Sequence, residues 1–333
     1  MSGEVVLSVE NLSVEYAGER PTRAVRDVSF ELRRGELLGV AGESGCGKST
    51  LAYAISRMLK PPARLTGGRV LHRSRDGVET DLLALEGEEL RAFRWSRQSM
   101  VFQSAMNALN PVTTVGRQFD DIFRAHRPDW TTERRRQRSG ELLELVGIDP
   151  ARIRSFPHEL SGGMRQRVVI AMALALEPEI VIMDEPTTAL DVVVQREILD
   201  EVERLREQLG FSVVFITHDL SLLLEISDRL AVMYAGEFVE YAPAEGLAAA
   251  AAHPYTQGLL RSFPDLAGVR RELRGIPGTP PDLRERLPGC PFAARCDQVF
   301  APCAGQHPAL LDLDRGSGWS AACHLHGLQG ATR

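Results

Sequence analysis

Gly42-Glu43-Ser44-Gly45-Cys46-Gly47-Lys48-Ser49 sets two glycines five positions apart and follows the second with a lysine and a hydroxyl. Glycines at that spacing let successive backbone N–H groups curl around a phosphate, and a helix starting at the lysine aims its positive end at the same point. Gly42, Ser44, Gly45, Cys46, Gly47, Lys48, Ser49 and Thr50 are therefore the expected contacts to a nucleoside triphosphate. Lys48 would reach the β- and γ-phosphates, and Ser49 would ligate Mg²⁺. Cys46 fills a variable position of this pattern and is not read as a nucleophile.

A second constellation is Ile180-Val181-Ile182-Met183-Asp184-Glu185, an apolar run ending in two carboxylates. At the carboxyl end of a buried strand Asp184 can orient Mg²⁺ through water, and Glu185 can polarise an attacking water as general base. A third is Leu160-Ser161-Gly162-Gly163-Met164-Arg165-Gln166 ahead of a helical stretch to Leu176. Ser161 suits a helix N-cap, and the same geometry presents N–H groups and a hydroxyl to an anion.

The fourth is a cysteine quartet, Cys290, Cys296, Cys303 and Cys323, spaced C-x5-C-x6-C-x19-C. In a reducing compartment such crowding suggests metal binding more than disulfides. The paired knuckles of structural zinc sites are absent, and so are ferredoxin-like C-x2-C runs. A cubane iron–sulfur cluster, zinc, and free or occasionally oxidised thiols all stay open. His307, His324 and His326 are substitute ligands or surface residues.

Positioning these groups requires a particular order of elements. Strand-like runs at Val5–Val9, Val25–Phe30 and Leu37–Ala41 precede the glycine loop, and a helical pattern runs from Ser49 to Leu59. Residues 86 to 157 read as mostly helical, broken by the β-prone Met100-Val101-Phe102. Ile180–Met183 and Val213–Thr217 each follow a helix-like segment, the layout of a parallel sheet buried on both faces. Asp191–Leu209 has helical spacing, and Leu230–Tyr234 with Glu237–Tyr241 reads as a hairpin about Gly236. The fold class is α/β. Past Ala250 the composition shifts to Pro, Gly, Cys and His, and Ile276–Pro281 is turn-rich, so residues 251–333 are expected to form an extension to a cassette of residues 1–250.

The 333 residues carry a formal net charge of -6, which opposes nucleic-acid binding. Arg134, Arg135, Arg136 and Arg138 beside Glu133 and Glu141 read as one solvated helix face. No uncharged apolar stretch is long enough to span a bilayer. Glu4 and Glu10 oppose a secretory signal, so a cytoplasmic location is expected.

Leu-Ser-Gly-Gly-x-x-Gln, beside the glycine loop and the acidic strand end, resembles the signature of the ATP-binding cassette family. The resemblance runs from about Val5 to Tyr241. It implies a P-loop ATPase core with an antiparallel β subdomain and a helical subdomain near residues 86–157. It makes Gln103 the Q-loop glutamine, both a catalytic residue and a Mg²⁺ ligand. Ala189-Leu190-Asp191 becomes the D-loop, His218 the switch histidine beside the γ-phosphate, and Tyr16 the aromatic stacked on adenine. Two such cassettes pair head to tail, so that Ser161 and Gly163 act on the partner's nucleotide.

Phe102–Pro111, Gly163-Met164-Arg165-Gln166-Arg167, His253-Pro254-Tyr255-Thr256 and Gly289–Cys296 are similar to the oligopeptide/dipeptide importer branch. That branch implies a membrane-peripheral ATPase on the cytoplasmic face, a second and different ATPase subunit, two transmembrane permease subunits and an extracytoplasmic binding protein. It also adds weight to a [4Fe-4S] cluster on the cysteine quartet. Nickel, oligosaccharides or opines are alternative cargoes. A soluble cassette ATPase of DNA repair or translation is the alternative of another class, disfavoured by the lack of a coiled-coil insertion or second cassette.

Overall fold

The computed structural model describes residues 3–103, 108–188, 190–262, 275–313 and 318–327. The chain divides into two compact units. One comprises residues 1–7, 32–35 and 71–215, and the other 8–31, 36–70 and 216–333.

In the first unit the strands Ser212–Ile216, Ile180–Asp184 and Gln98–Val101 follow one another in a sheet. Every residue of Ile180–Asp184 and Ser212–Ile216 is buried, as continuous apolar runs of a parallel sheet require. Gln98–Val101 lies parallel to Ile180–Asp184, with Gln98 opposite Ile180 and Val101 opposite Met183. The β-prone Met100 and Val101 thus form part of a real strand, while Phe102 falls just beyond it. The helix Val192–Leu209 starts at Asp191, whose carboxylate accepts from the Val193 and Val194 N–H groups, and stops at Gly210 with φ 68°.

The largely helical reading of residues 86–157 holds in outline. Gly87–Phe93, Val115–His126 and Thr132–Leu145 are α-helices, the last two capped by Thr114 and Thr131. The arginine run needs correction. Successive helical residues point about 100° apart, so these four cannot share one face. Arg135 turns inward and is 8% exposed. Its guanidinium holds Asp120 at 2.6 Å and also donates to the Trp130 carbonyl and Thr132. Arg134 lies over the Trp130 ring, and Arg138 pairs with Glu177 at 2.8 Å.

Glu179, just before the acidic strand, gathers Arg34 at 2.6 Å and Arg97 at 2.7 Å. Burial in the same unit pushes His72 down to about 4.

In the second unit Leu37–Ala41 is fully buried and lies parallel to Arg229–Tyr234, with Leu38 opposite Arg229. Arg229–Tyr234 and Glu237–Pro243 form the expected hairpin. Its turn residues Ala235 and Gly236 take φ 51° and 87°, the left-handed pair that a two-residue hairpin loop demands. Another sheet orders Thr22–Arg33, Val5–Tyr16 and Ala63–Arg73. The two expected strands are longer than their apolar runs. The third, Ala63–Arg73, follows Pro61 and Pro62 and alternates too weakly to be legible as a strand. The first helix is shorter than its pattern. It runs Lys48–Ile55 and closes where Arg57 adopts φ 57°.

One carboxylate ties the segments around His253 and Trp319 to the hairpin. Glu240 is fully buried and accepts from Ala252 N–H at 2.7 Å, His253 N–H at 2.9 Å and Trp319 Nε1–H at 2.9 Å. Ser320–Ala321 pairs antiparallel with Glu237–Pro243, and Leu311–Asp312 pairs with Ser320–Ala321. Among the described residues no helix is long and apolar enough to cross a membrane.

His253 precedes the helix Pro254–Ser262, and its unprotonated Nδ1 accepts from Tyr255 N–H at 3.0 Å. Burial, with His326 nearby, pushes it down to about 3. The unfolded chain takes up that proton near pH 6.5 and the folded chain does not. Stability is therefore unaffected above about 6.5 and falls as pH drops from there towards about 3. His253→Asn, which offers Oδ1 in place of Nδ1 as the cap, should flatten this acid limb of the melting temperature against pH.

Candidate functional site

The second unit carries the glycine loop at the end of the strand Leu37–Ala41 and the start of the helix Lys48–Ile55. Gly42, Gly45 and Gly47 take φ 151°, 80° and 111°. At two of them a side chain has no room. A Cβ on Gly42 would lie 2.3 Å from the Met233 carbonyl oxygen, and one on Gly47 would lie 2.1 Å from that of Ala24. Gly236 N–H donates to the Cys46 carbonyl at 2.9 Å, tying the loop to the hairpin turn. Lys48, 6% exposed, folds its ammonium back onto the Gly42 and Glu43 carbonyls at 2.7 and 3.1 Å. Those are contacts a lysine can exchange for phosphate oxygens. Burial pushes the Cys46 thiol up, which keeps it protonated and unreactive.

Ser44 and Gly45 are exposed, Ser49 is half-buried, and Thr50 is buried and within 3.0 Å of the Tyr16 hydroxyl. Tyr16 is thus brought to the loop. His218 is exposed on the turn after the strand Ser212–Ile216, where Asp219 N–H donates to Thr217 Oγ1 and Asp219 caps the helix Leu220–Ile226.

The first unit carries the acids. Asp184 is fully buried, and Glu185, 9% exposed, sits beyond the strand at φ 49°. Thr188 Oγ1 donates to Glu185 Oε2 at 2.6 Å and holds that carboxylate in place. Because Val101 pairs with Met183 in parallel register, Gln103 leaves its strand at the same end as Asp184 and Glu185 and is exposed there. Ligands of parallel sheets bind outside such carboxyl ends.

Ser161, exposed, caps the helix Gly162–Ala173 by accepting from Met164 N–H. A Cβ on Gly163 would stand 2.8 Å from Val194 Cγ1, so the signature helix packs there against the Val194 side chain of the D-loop helix, which would have to move for any larger residue. Of the expected D-loop, Asp191 caps its helix, while Ala189 lies outside the described residues, as do residues 104–107 of the Q-loop stretch.

Cys290, Cys296, Cys303 and Cys323 line one small cavity of about 10 Å³ with His253 and His324. All four are unpaired by disulfides. That volume is room for about one water. Cys290 N–H donates to the Cys303 carbonyl, and Gly289 lets the segments touch, since a Cβ there would lie 2.3 Å from that oxygen. Burial pushes Cys290 up to about 11 and raises Cys296 and Cys323 as well. Among the described residues no group of three or more His, Cys, Asp or Glu is arranged to hold a metal ion, which leaves zinc and an iron–sulfur cluster alike without a preformed site. His307 pairs instead with Glu237 at 2.7 Å, and His326 bonds the Ala252 carbonyl.

Comparison with known proteins decides the family. The ABC transporter family model matches residues 25–188, and the model for the oligopeptide/dipeptide transporter C-terminal region matches residues 239–303. The dipeptide transport ATP-binding protein DppD of Bacillus subtilis is 45% identical, over 92% of this chain and 90% of its own length. The chain belongs to the ABC transporter family.

A probable peptide ABC transporter ATP-binding protein of Sinorhizobium fredii, y4tR, is 44% identical over 96% of this chain and 95% of its own. Among solved structures, the dimeric bacterial ABC transporter cassette MJ0796 is 30% identical with a TM-score of 0.61, covering 72% of this chain and 98% of that one. The same cassette is known in a post-hydrolysis dimer bound to ADP and Pi, equally similar. The cassette fold and ATPase class read from the motifs therefore stand.

Sequence reasoning missed Thr188, Tyr255 and Arg295. Tyr255 Oη accepts from Glu43 N–H at 2.9 Å, and Arg295 grips the Glu43 carboxylate at 2.6 and 2.9 Å. A separation of 252 positions between Arg295 and Glu43 leaves no local signal.

Gly47→Ala tests the loop. Its Cβ would collide with backbone, so the loop must shift, and Mg-ATP affinity in a calorimetric titration should fall by at least roughly tenfold.

Proposed function

We propose that this chain is the ATP-hydrolysing subunit that energises a membrane importer of di- or oligopeptides. The observation that carries this reading is similarity along nearly the whole chain, extension included, to ATP-binding proteins named for dipeptide and peptide transport. The P-loop geometry supports it at atomic level.

In this reading Lys48 and the N–H groups of the glycine loop hold the triphosphate, and Tyr16 faces the base. Ser49, Gln103 and Asp184 offer Mg²⁺ a hydroxyl, an amide and a carboxylate, the hard oxygen donors that it prefers. Bound there, Mg²⁺ would neutralise charge on the phosphates. Glu185, fixed by Thr188, takes the proton of the attacking water, and His218 steadies the γ-phosphate. Ser161 and Gly163 serve the nucleotide of a second cassette. Val192 and Val193, 81% and 70% exposed at the start of the D-loop helix, suit a surface that such a partner covers. The domain division at about residue 250, the peripheral cytoplasmic location, the second ATPase, the two permease subunits and the binding protein belong to the same proposal. So does contact of the helices around residues 103–157 with the permeases.

Glu185→Gln should retain Mg-ATP affinity while hydrolysis falls by on the order of 10²–10⁴. Normal turnover would remove Glu185 from the base role. Peptide-stimulated ATPase activity in the complex with its co-purified permeases would support the cargo. Stimulation by nickel, an oligosaccharide or an opine instead would reassign it, and a ribosome- or DNA-bound pool would oppose import altogether.

For the cysteine quartet we infer a [4Fe-4S] site. Supporting it is a set of four thiols suited to iron and sulfide around one cavity; at about 10 Å³ that cavity would have to open to admit a cluster. Anaerobic purification should give a brown protein with about four irons and four sulfides per chain. A colourless protein without iron would reduce the quartet to buried thiols.

A further inference from the structure

Glu43 opens the variable part of the P-loop, and it is fixed at three points. Its carbonyl accepts from the Lys48 ammonium at 3.1 Å, and its N–H donates to the Tyr255 hydroxyl at 2.9 Å. Its carboxylate is held in a two-pronged pair by Arg295, Nη1 at 2.6 Å and Nη2 at 2.9 Å. Only the first partner belongs to the nucleotide-binding motif. The other two come from beyond residue 250.

Both outside partners are themselves rigidly placed. Tyr255 is fully buried on the helix Pro254–Ser262 and packs its ring against Tyr234 and Phe292. The Arg295 side chain is 4% exposed. Its Nε donates to the Pro277 carbonyl at 2.8 Å, and Nη1 also reaches the Tyr234 hydroxyl. The guanidinium fork is thus aimed before the ion pair forms, the arrangement in which a bidentate pair is strongest.

The electrostatics give the pair a purpose. A carboxylate inside a loop that must cradle a polyanionic triphosphate repels it, and the penalty is largest where water is scarce. Arg295 cancels that charge at its source. Tyr255 meanwhile holds the Gly42–Glu43 peptide, whose Gly42 carbonyl accepts from the Lys48 ammonium at 2.7 Å.

We propose that Arg295 and Tyr255 are positioning residues for ATP: they fix and neutralise Glu43, so that nucleotide affinity is set partly from outside the cassette. The proposal rests on the P-loop reading above and adds a dependence that the loop motif does not contain.

The test is calorimetric titration of the full-length chain with Mg-ATP, each variant first checked for an intact thermal transition. Arg295→Met should weaken binding roughly tenfold, equivalent to ~1.4 kcal/mol, with Arg295→Lys falling in between. The decisive variant is Glu43→Gln/Arg295→Met. With the uncompensated carboxylate gone, affinity should return to within about threefold of the parent, a recovery that loss of packing alone would not produce. If the double variant stays as weak as Arg295→Met, or if Arg295→Met binds like the parent, the proposal is overturned. Should Arg295→Met fail to fold, Tyr255→Phe carries the test. It leaves the ion pair whole and must weaken binding, and unchanged affinity overturns the proposal. Lys48→Ala keeps the two readings apart. Loss of binding there beside an unaffected Arg295→Met rejects only the positioning role, whereas retained binding in Lys48→Ala rejects the P-loop reading itself.

Discussion

The tightest constraint in the molecule is the approach of the glycine loop to its neighbours' backbone. The Ala24 and Met233 carbonyls stand where a Cβ of Gly47 or Gly42 would be. Such contacts leave little freedom in the path from strand to helix, so steric exclusion acts beside the hydrogen bonds of Glu43 N–H to Tyr255 and Cys46 N–H to Glu43 in aiming the loop. The rest of the second unit is arranged around this. The hairpin Arg229–Tyr234 with Glu237–Pro243 supplies Met233 and the Gly236 N–H that anchors Cys46. The strand Thr22–Arg33 supplies Ala24.

The first unit solves a different problem. It sets two carboxylates at the end of one buried strand. Asp184 is kept at a buried strand terminus, and Glu185 is held in the left-handed region by the Thr188 hydroxyl. Such a backbone costs on the order of 1–3 kcal/mol and persists only where the surroundings impose it. Parallel register with Gln98–Val101 then brings Gln103 to the same strand ends.

Much of this was legible in the residues. Runs such as Leu37–Ala41 and Ile180–Met183 carry no polar side chain because both faces are covered, and the loop and acids follow them directly. The resemblance carried by Leu160–Gln166 named the family. What stayed hidden shares one physical cause, dependence on partners distant in sequence. Arg135 looked like one of four solvent-facing arginines, and only the helix Val115–His126 with Asp120 makes it an inward group. Ala63–Arg73 lacks a clean alternation because several of its residues are exposed. Nothing near Glu43 or Arg295 announces their pairing.

The last described strands have a consequence of a different kind. A hairpin such as Arg229–Tyr234 with Glu237–Pro243 leaves the outer strand with a row of unspent N–H and C=O groups, an invitation to pairing by another chain. Here Ser320–Ala321 pairs with Glu240 and Tyr241 of that strand, Leu311–Asp312 pairs in turn with Ser320–Ala321, and Glu240 bolts the covering segment down through Trp319. The segment thereby shortens the stretch of that strand left open to pairing.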